Sequence, residues 1–132
     1  MMTLGQFTRF PAAFKKREQS VDSVKLENLQ YNYDQEENKI KVTSNTSSGY
    51  RQELEILDDK ITLRSPCKVH CDCESFRYEF AHAVFKHGGL LYPIEMLRSV
   101  VQHPRTKNQF DIPSPCKHLV KLARETLKIK LK

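Results

Sequence analysis

Ile40-Lys41-Val42-Thr43-Ser44-Asn45-Thr46-Ser47-Ser48-Gly49-Tyr50-Arg51-Gln52-Glu53-Leu54-Glu55-Ile56-Leu57 decides the fold. Ile40 to Thr43 alternates apolar and polar residues, and Tyr50 to Leu57 does so again, with Leu54 and Ile56 on one face and Glu53 and Glu55 on the other. Side chains on a strand point to opposite faces in turn, so this pattern predicts half-buried strands. Ser44 to Gly49 supplies the polar turn between them. Upstream, Leu26 to Tyr33 is rich in aromatics and alternation, and Asp34-Gln35-Glu36-Glu37-Asn38 turns it into the next strand. Downstream, Asp58-Asp59-Lys60 turns into Ile61-Thr62-Leu63. Residues 24–64 are thus expected to form an antiparallel meander with one wet face.

Helical spacing follows. Glu74 to His87 places Phe76, Phe80, Ala83 and Val84 on one side, and Gly88-Gly89 ends the run. A short helix is predicted over Ile94 to Val101, opening on Pro93, and residues 102–115, with three prolines, read as a loop. A last helix is predicted to open on Ser114 as N-cap with Pro115 at its first position, and to bury Leu119, Val120, Ala123 and Leu127. The expected class is α+β: a meander followed by helices.

The chain has 132 residues, 39% hydrophobic and 29% charged, with no Trp. That length favours one domain and excludes a two-lobed cofactor enzyme. No apolar run approaches the roughly 20 residues of a spanning helix. Residues 1–59 carry 8 basic and 10 acidic side chains and residues 60–132 carry 14 and 6, so the net +6 lies in the C-terminal half. A basic half suits an acidic partner or simply solubility. Met1 to Ser20 lacks the apolar core of a secretory signal; its Arg9, Lys15, Lys16 and Arg17 leave a mitochondrial presequence as the other reading. Without export, the four cysteines are expected to be thiols, and Asn45-Thr46-Ser47 a chance glycosylation match. Residues 1–23 read as an N-terminal arm and 24–132 as the domain. Phe7, Phe10 and Phe14 fall at helical spacing in that arm, either packing on their own domain or docking a neighbouring subunit.

Cys71-Asp72-Cys73 and Cys116-Lys117-His118 carry the chemistry. Cysteines at i and i+2 on a strand face the same side, and Cys116 and His118 sit in the first turn of the last helix, where the dipole favours a thiolate. Three thiolates and one imidazole make a closed tetrahedral set, the pattern of structural zinc. One Zn²⁺ is therefore expected on Cys71, Cys73, Cys116 and His118. Cys67 could compete through Cys67-x3-Cys71, but after Pro66 it reads as a spare thiol. His70 should point away from the metal, His82 and His87 are poorly spaced for chelation, and His103 reads as a loop residue.

The pattern C-x-C, an insert of residues 74–115, then C-x-H resembles the SWIM-type zinc finger. The resemblance extends over a hairpin before the first pair, from Val42 to Ser65, an aromatic after it at Phe76, and a second pair opening the final helix. It implies a zinc-clipped ββα unit. Cys71-Asp72-Cys73-Glu74-Ser75-Phe76 and Cys116-Lys117-His118-Leu119, around an insert both helical and Pro-rich, are similar to small SWIM-containing virion proteins of tailed bacteriophages. The helix predicted at Ile94 to Val101 departs from the usual phage insert. What this resemblance implies is a non-enzymatic structural or adaptor protein, made in the bacterial host cytoplasm and located in the virion. It would dock other virion proteins in a symmetric multi-copy assembly through Phe7, Phe10, Phe14 and the sheet edges.

No nucleophile–base pair, Gly-rich phosphate loop or H-E-x-x-H accompanies these residues, so no catalysis and no small-molecule substrate are expected. The acid pairs Glu36-Glu37 and Asp58-Asp59 lie in predicted turns. Lys117, Lys121, Arg124 and Lys128 form one basic stripe along the last helix, opposed only by Glu125. That stripe carries the alternative function, a nucleic-acid-binding SWIM module gripping phosphates; the plainer reading is a charged surface suited to the helix C-terminus.

Overall fold

The structure, a computed structural model, describes residues 1–92 and 112–129. Four strands, β1 (Leu26–Asp34), β2 (Lys39–Thr46), β3 (Arg51–Ile56) and β4 (Cys67–Cys71), pair antiparallel in chain order. With the helices below, the class is α+β. The register stacks the inward side chains into three rows across β2, β3 and β4. These are Ile40–Ile56–Cys67, Val42–Leu54–Val69 and Ser44–Gln52–Cys71. All nine are fully buried. The first two rows are apolar; the third is polar and ends on a cysteine.

Ile61-Thr62-Leu63 was expected to be a strand and is not. The N-terminus pairs with the 61–65 turn instead: Leu4 N–H donates to Ser65 O at 2.9 Å and Gly5 N–H to Leu63 O at 2.8 Å. Those amides are unpaired donors at the start of α1 (Leu4–Phe7), and the 61–65 turn satisfies them. A Cβ at Gly5 would lie 2.9 Å from Leu63 O, so this approach requires glycine. The Ser65 hydroxyl closes the turn by donating to Lys60 O at 2.7 Å and accepting from Thr62 N–H at 2.9 Å. The fourth strand starts after it, at Cys67.

The N-terminal segment is no projecting arm. Met2, Leu4 and Phe7 are buried in the main core, and Phe10 packs with Val21 and Val120. Phe14 lies in a 3₁₀ stretch, Ala12–Ser23, and meets Phe80 edge-on at 5.0 Å. The Arg17 guanidinium sits over both rings, at 5.0 and 5.2 Å, and forks onto the buried Glu79 carboxylate. Phe7, Phe10 and Phe14 thus pack on their own chain, one of the two uses their spacing allowed. A four-stranded sheet covered by two short helical runs, 76–86 and 117–127, makes a thin core, and the chain fills it with its own aromatics.

Backbone contacts also cover the outer edge of β4: Cys67 N–H donates to Met2 O at 3.0 Å, Val69 N–H to Gly89 O at 2.7 Å, and Leu91 N–H to Val69 O at 3.0 Å. The opposite edge, β1, carries a bulge between Glu27 and Gln30, with Asn28 at φ 54. A bulge on an edge strand discourages strand addition.

The predicted 74–87 helix is present with one irregularity, a π-helical turn over Phe76–Phe80 that runs into α2 (Ala81–Lys86). Phe76, Phe80, Ala83 and Val84 are buried as the spacing predicts, and Gly88 ends the helix at φ +77. The last helix, α3, spans Lys117–Leu127. Ser114 does not cap it; the Ser114 hydroxyl donates to Pro115 O at 2.9 Å, and Cys116 holds the N-cap position in extended conformation. Leu119, Val120 and Ala123 face inward as expected, but Leu122 and Thr126 complete the stripe and Leu127 turns outward. Thr126 tolerates burial because its hydroxyl donates to Leu122 O at 2.7 Å. The Ile94–Val101 helix and most of the Pro-rich loop lie outside the described residues. Among the described residues no helix is long and apolar enough to cross a membrane.

Candidate metal centre

Cys71 is the last residue of β4 and closes the polar row. The strand stops there because Asp72 folds back onto β3: Arg51 N–H donates to Asp72 Oδ1 at 2.7 Å and Asp72 N–H to Arg51 O at 3.3 Å. Cys73 then precedes the helical run, and its Sγ accepts the Phe76 N–H at 3.5 Å. From the other side of the 74–115 insert, α3 presents Cys116 at its N-cap and His118 in its first turn.

The four donor atoms converge within 4.8 Å of one another, and all four residues are buried. Cys71 Sγ lies 3.8 Å from His118 Nδ1, and the imidazole leans on Tyr50 at a centroid distance of 5.6 Å. All four cysteines, Cys67 included, are free thiols. Hydrogen bonds from Cys116 and then Cys71 hold the Cys73 thiol far below its ordinary range, while burial pushes Cys116 well above its own. Thiols packed this closely in a buried site ionise together only with a cation beside them. Three sulfurs and a nitrogen, with no carboxylate, can bind one metal ion in a closed set.

Known protein families, curated proteins and solved structures offer no match to this chain.

The structure brings together Cys71, Cys73, Cys116 and His118 and leaves Cys67, His70, His82 and His87 apart; His103 lies outside the described residues. Cys67 is buried in the first inward row, four residues up the strand from Cys71, about 13 Å at the usual rise. Burial drives its thiol well above the ordinary range, and its nearest partner is Lys68 O at 3.9 Å. His70 points to the opposite face of β4, edge-on to Tyr92 at 5.2 Å. His82 and His87 ride on α2 and at its end, outside the cluster.

The basic stripe needs correction. Arg124 donates from Nε to Thr8 O at 2.8 Å and from Nη2 to Glu18 Oε2 at 2.7 Å. Glu18 also accepts the Phe10 N–H at 2.8 Å. Glu125 was expected to be the only acid opposing the stripe, yet a second one arrives from the N-terminal segment and uses Arg124 to anchor it. Lys128 pairs with Glu125 at 3.2 Å, Lys117 is exposed and Lys121 half-buried.

Two residues at the centre escaped the sequence reading, Gln52 and Ser44. The signal was present: Gln52 is in phase with Leu54 and Ile56, so it is a polar residue on the inward face.

Proposed function

We propose that this chain is a zinc-stapled, non-enzymatic structural or adaptor protein of a tailed-phage virion, built on a SWIM-like unit. The observation that carries the zinc reading is the convergence of Cys71, Cys73, Cys116 and His118 from a strand end and a helix start. Metal–sulfur bonds of about 2.3 Å and a metal–nitrogen bond of about 2.0–2.1 Å in a tetrahedron put donor atoms roughly 3.5–3.8 Å apart. The 3.8 Å from Cys71 Sγ to His118 Nδ1 lies within about 0.3 Å of the sulfur–nitrogen edge of such a tetrahedron, and all four donors lie within 4.8 Å of one another. Four protein donors leave no open position for substrate or water, which supports a structural ion.

The staple has work to do in this fold. Residues 74–115 separate the two ligand pairs, and closing so long a loop costs entropy. An ion bound only in the folded state offsets that cost and fixes the start of α3 against the end of β4. The virion assignment rests on the likeness of Cys71 to Phe76 and Cys116 to Leu119 to phage SWIM proteins. Against the nucleic-acid alternative stands Arg124, whose guanidinium is committed to Glu18 and Thr8, which leaves the stripe only its lysines for phosphates.

The test is whether the chain stays with purified particles through nuclease treatment and a high-salt wash. Retention at a fixed copy number per particle is the expected result. Release by salt, with the protein following nucleic acid, would overturn it in favour of phosphate binding.

A further inference from the structure

We infer that Gln52 is a positioning residue for the metal centre, donating an N–H to the Cys71 sulfur while Ser44 holds its amide in place. This rests on the proposed zinc site. The side chain of Gln52 is fully buried in the sheet, where a polar amide is costly unless every polar atom has a partner. Here each one does. Oε1 accepts from Ser44 Oγ at 2.9 Å, and Nε2 lies 3.1 Å from Tyr50 O and 3.8 Å from Cys71 Sγ. The orientation of the amide is fixed by chemistry: Tyr50 O can only accept, so the atom facing it must be the nitrogen. The second hydrogen on that nitrogen is then left for sulfur, and the Ser44 hydroxyl must donate to the oxygen.

The register makes this a built feature. Ser44, Gln52 and Cys71 are direct cross-strand partners on three successive strands, in the one inward row that is not apolar. An apolar residue at position 52 would match Leu54 and Ile56. Three thiolates around a divalent ion leave a buried charge of about −1, with no Lys or Arg among its four donors. Two N–H donors disperse it, Gln52 onto Cys71 and the Phe76 backbone onto Cys73. Such outer partners orient a ligand and tune the metal, and removing one lowers metal affinity by about 10–100-fold.

The test uses the full chain carrying Gln52→Met, which keeps length and flexibility and removes both donors. Zinc affinity is measured by competition with a chelator, and the sulfur-to-metal charge-transfer bands are recorded with cobalt(II) in place of zinc. The expected result is an affinity lower by about 10–100-fold, shifted cobalt bands, and faster alkylation of Cys71 than of Cys73 or Cys116. Ser44→Ala, which leaves the amide but frees its oxygen, should shift all three readouts the same way by less. It serves as the deciding variant if Gln52→Met does not fold. Unchanged affinity and unchanged bands in a folded variant would overturn the inference and leave the zinc site standing. A wild-type chain that binds no zinc would overturn the zinc site itself.

Discussion

Replacing Cys73 or His118 with alanine is expected to abolish tight zinc binding and to unfold the C-terminal half of the chain. A structural zinc contributes an apparent binding free energy of about 10–16 kcal/mol in small zinc modules, and a whole domain is stable by only about 5–15 kcal/mol. The domain cannot lose most of that term and stay folded. The damage should centre on α3, whose first turn holds two of the four ligands and whose Leu119, Leu122 and Ala123 cover the sheet. Zinc content by mass spectrometry and helicity by circular dichroism check this together. Variants that both retain one tightly bound zinc and melt like the wild type would show that the ligand assignment is wrong.

The second large effect is expected far from the metal. Phe7→Ala should lower stability by about 3–5 kcal/mol, the usual cost of emptying a buried aromatic site. For a chain of this size that is a fall in Tm of about 10 °C or more. Phe7 is fully buried among the main core residues, and α1 packs on α3 and on the 61–65 turn. The outcome discriminates between two uses of one aromatic. An arm that docks on a neighbour would leave the melting of the isolated chain unchanged and lose only assembly. A thermal melt of the purified variant settles it.

The sheet and the ligand set were legible because both depend on local pattern. Alternation fixed Ile40, Val42, Leu54 and Ile56 on one face, whereas β4 ends at Cys71, so Cys73 joins the cluster from the turn after the strand and not by strand alternation. Helical spacing likewise found Phe76, Phe80, Leu119 and Ala123. What escaped depends on partners remote in the chain. Ile61 and Leu63 alternate like a strand, yet the α1 amides took the carbonyls of Leu63 and Ser65. Ser114 has the chemistry of an N-cap, but its hydroxyl satisfies Pro115 O instead. Arg124 reads as a solvated cation until Glu18, 106 residues away, is folded against it. Phe7, Phe10 and Phe14 face inward without sharing a helix: Phe7 ends α1, Phe10 lies outside any helix, and Phe14 sits at a kink in the 3₁₀ stretch. Gln52 was the one local signal overlooked, a polar residue in an inward phase.

The central claim is that three sulfurs and one nitrogen of this chain hold a single zinc. Zinc K-edge X-ray absorption on the purified full-length chain tests it most directly. The expected result is one zinc per chain with three sulfurs at about 2.3 Å and one nitrogen at about 2.0–2.1 Å. A chain purified without zinc that takes none up, or a shell containing oxygen or fewer than three sulfurs, would contradict it.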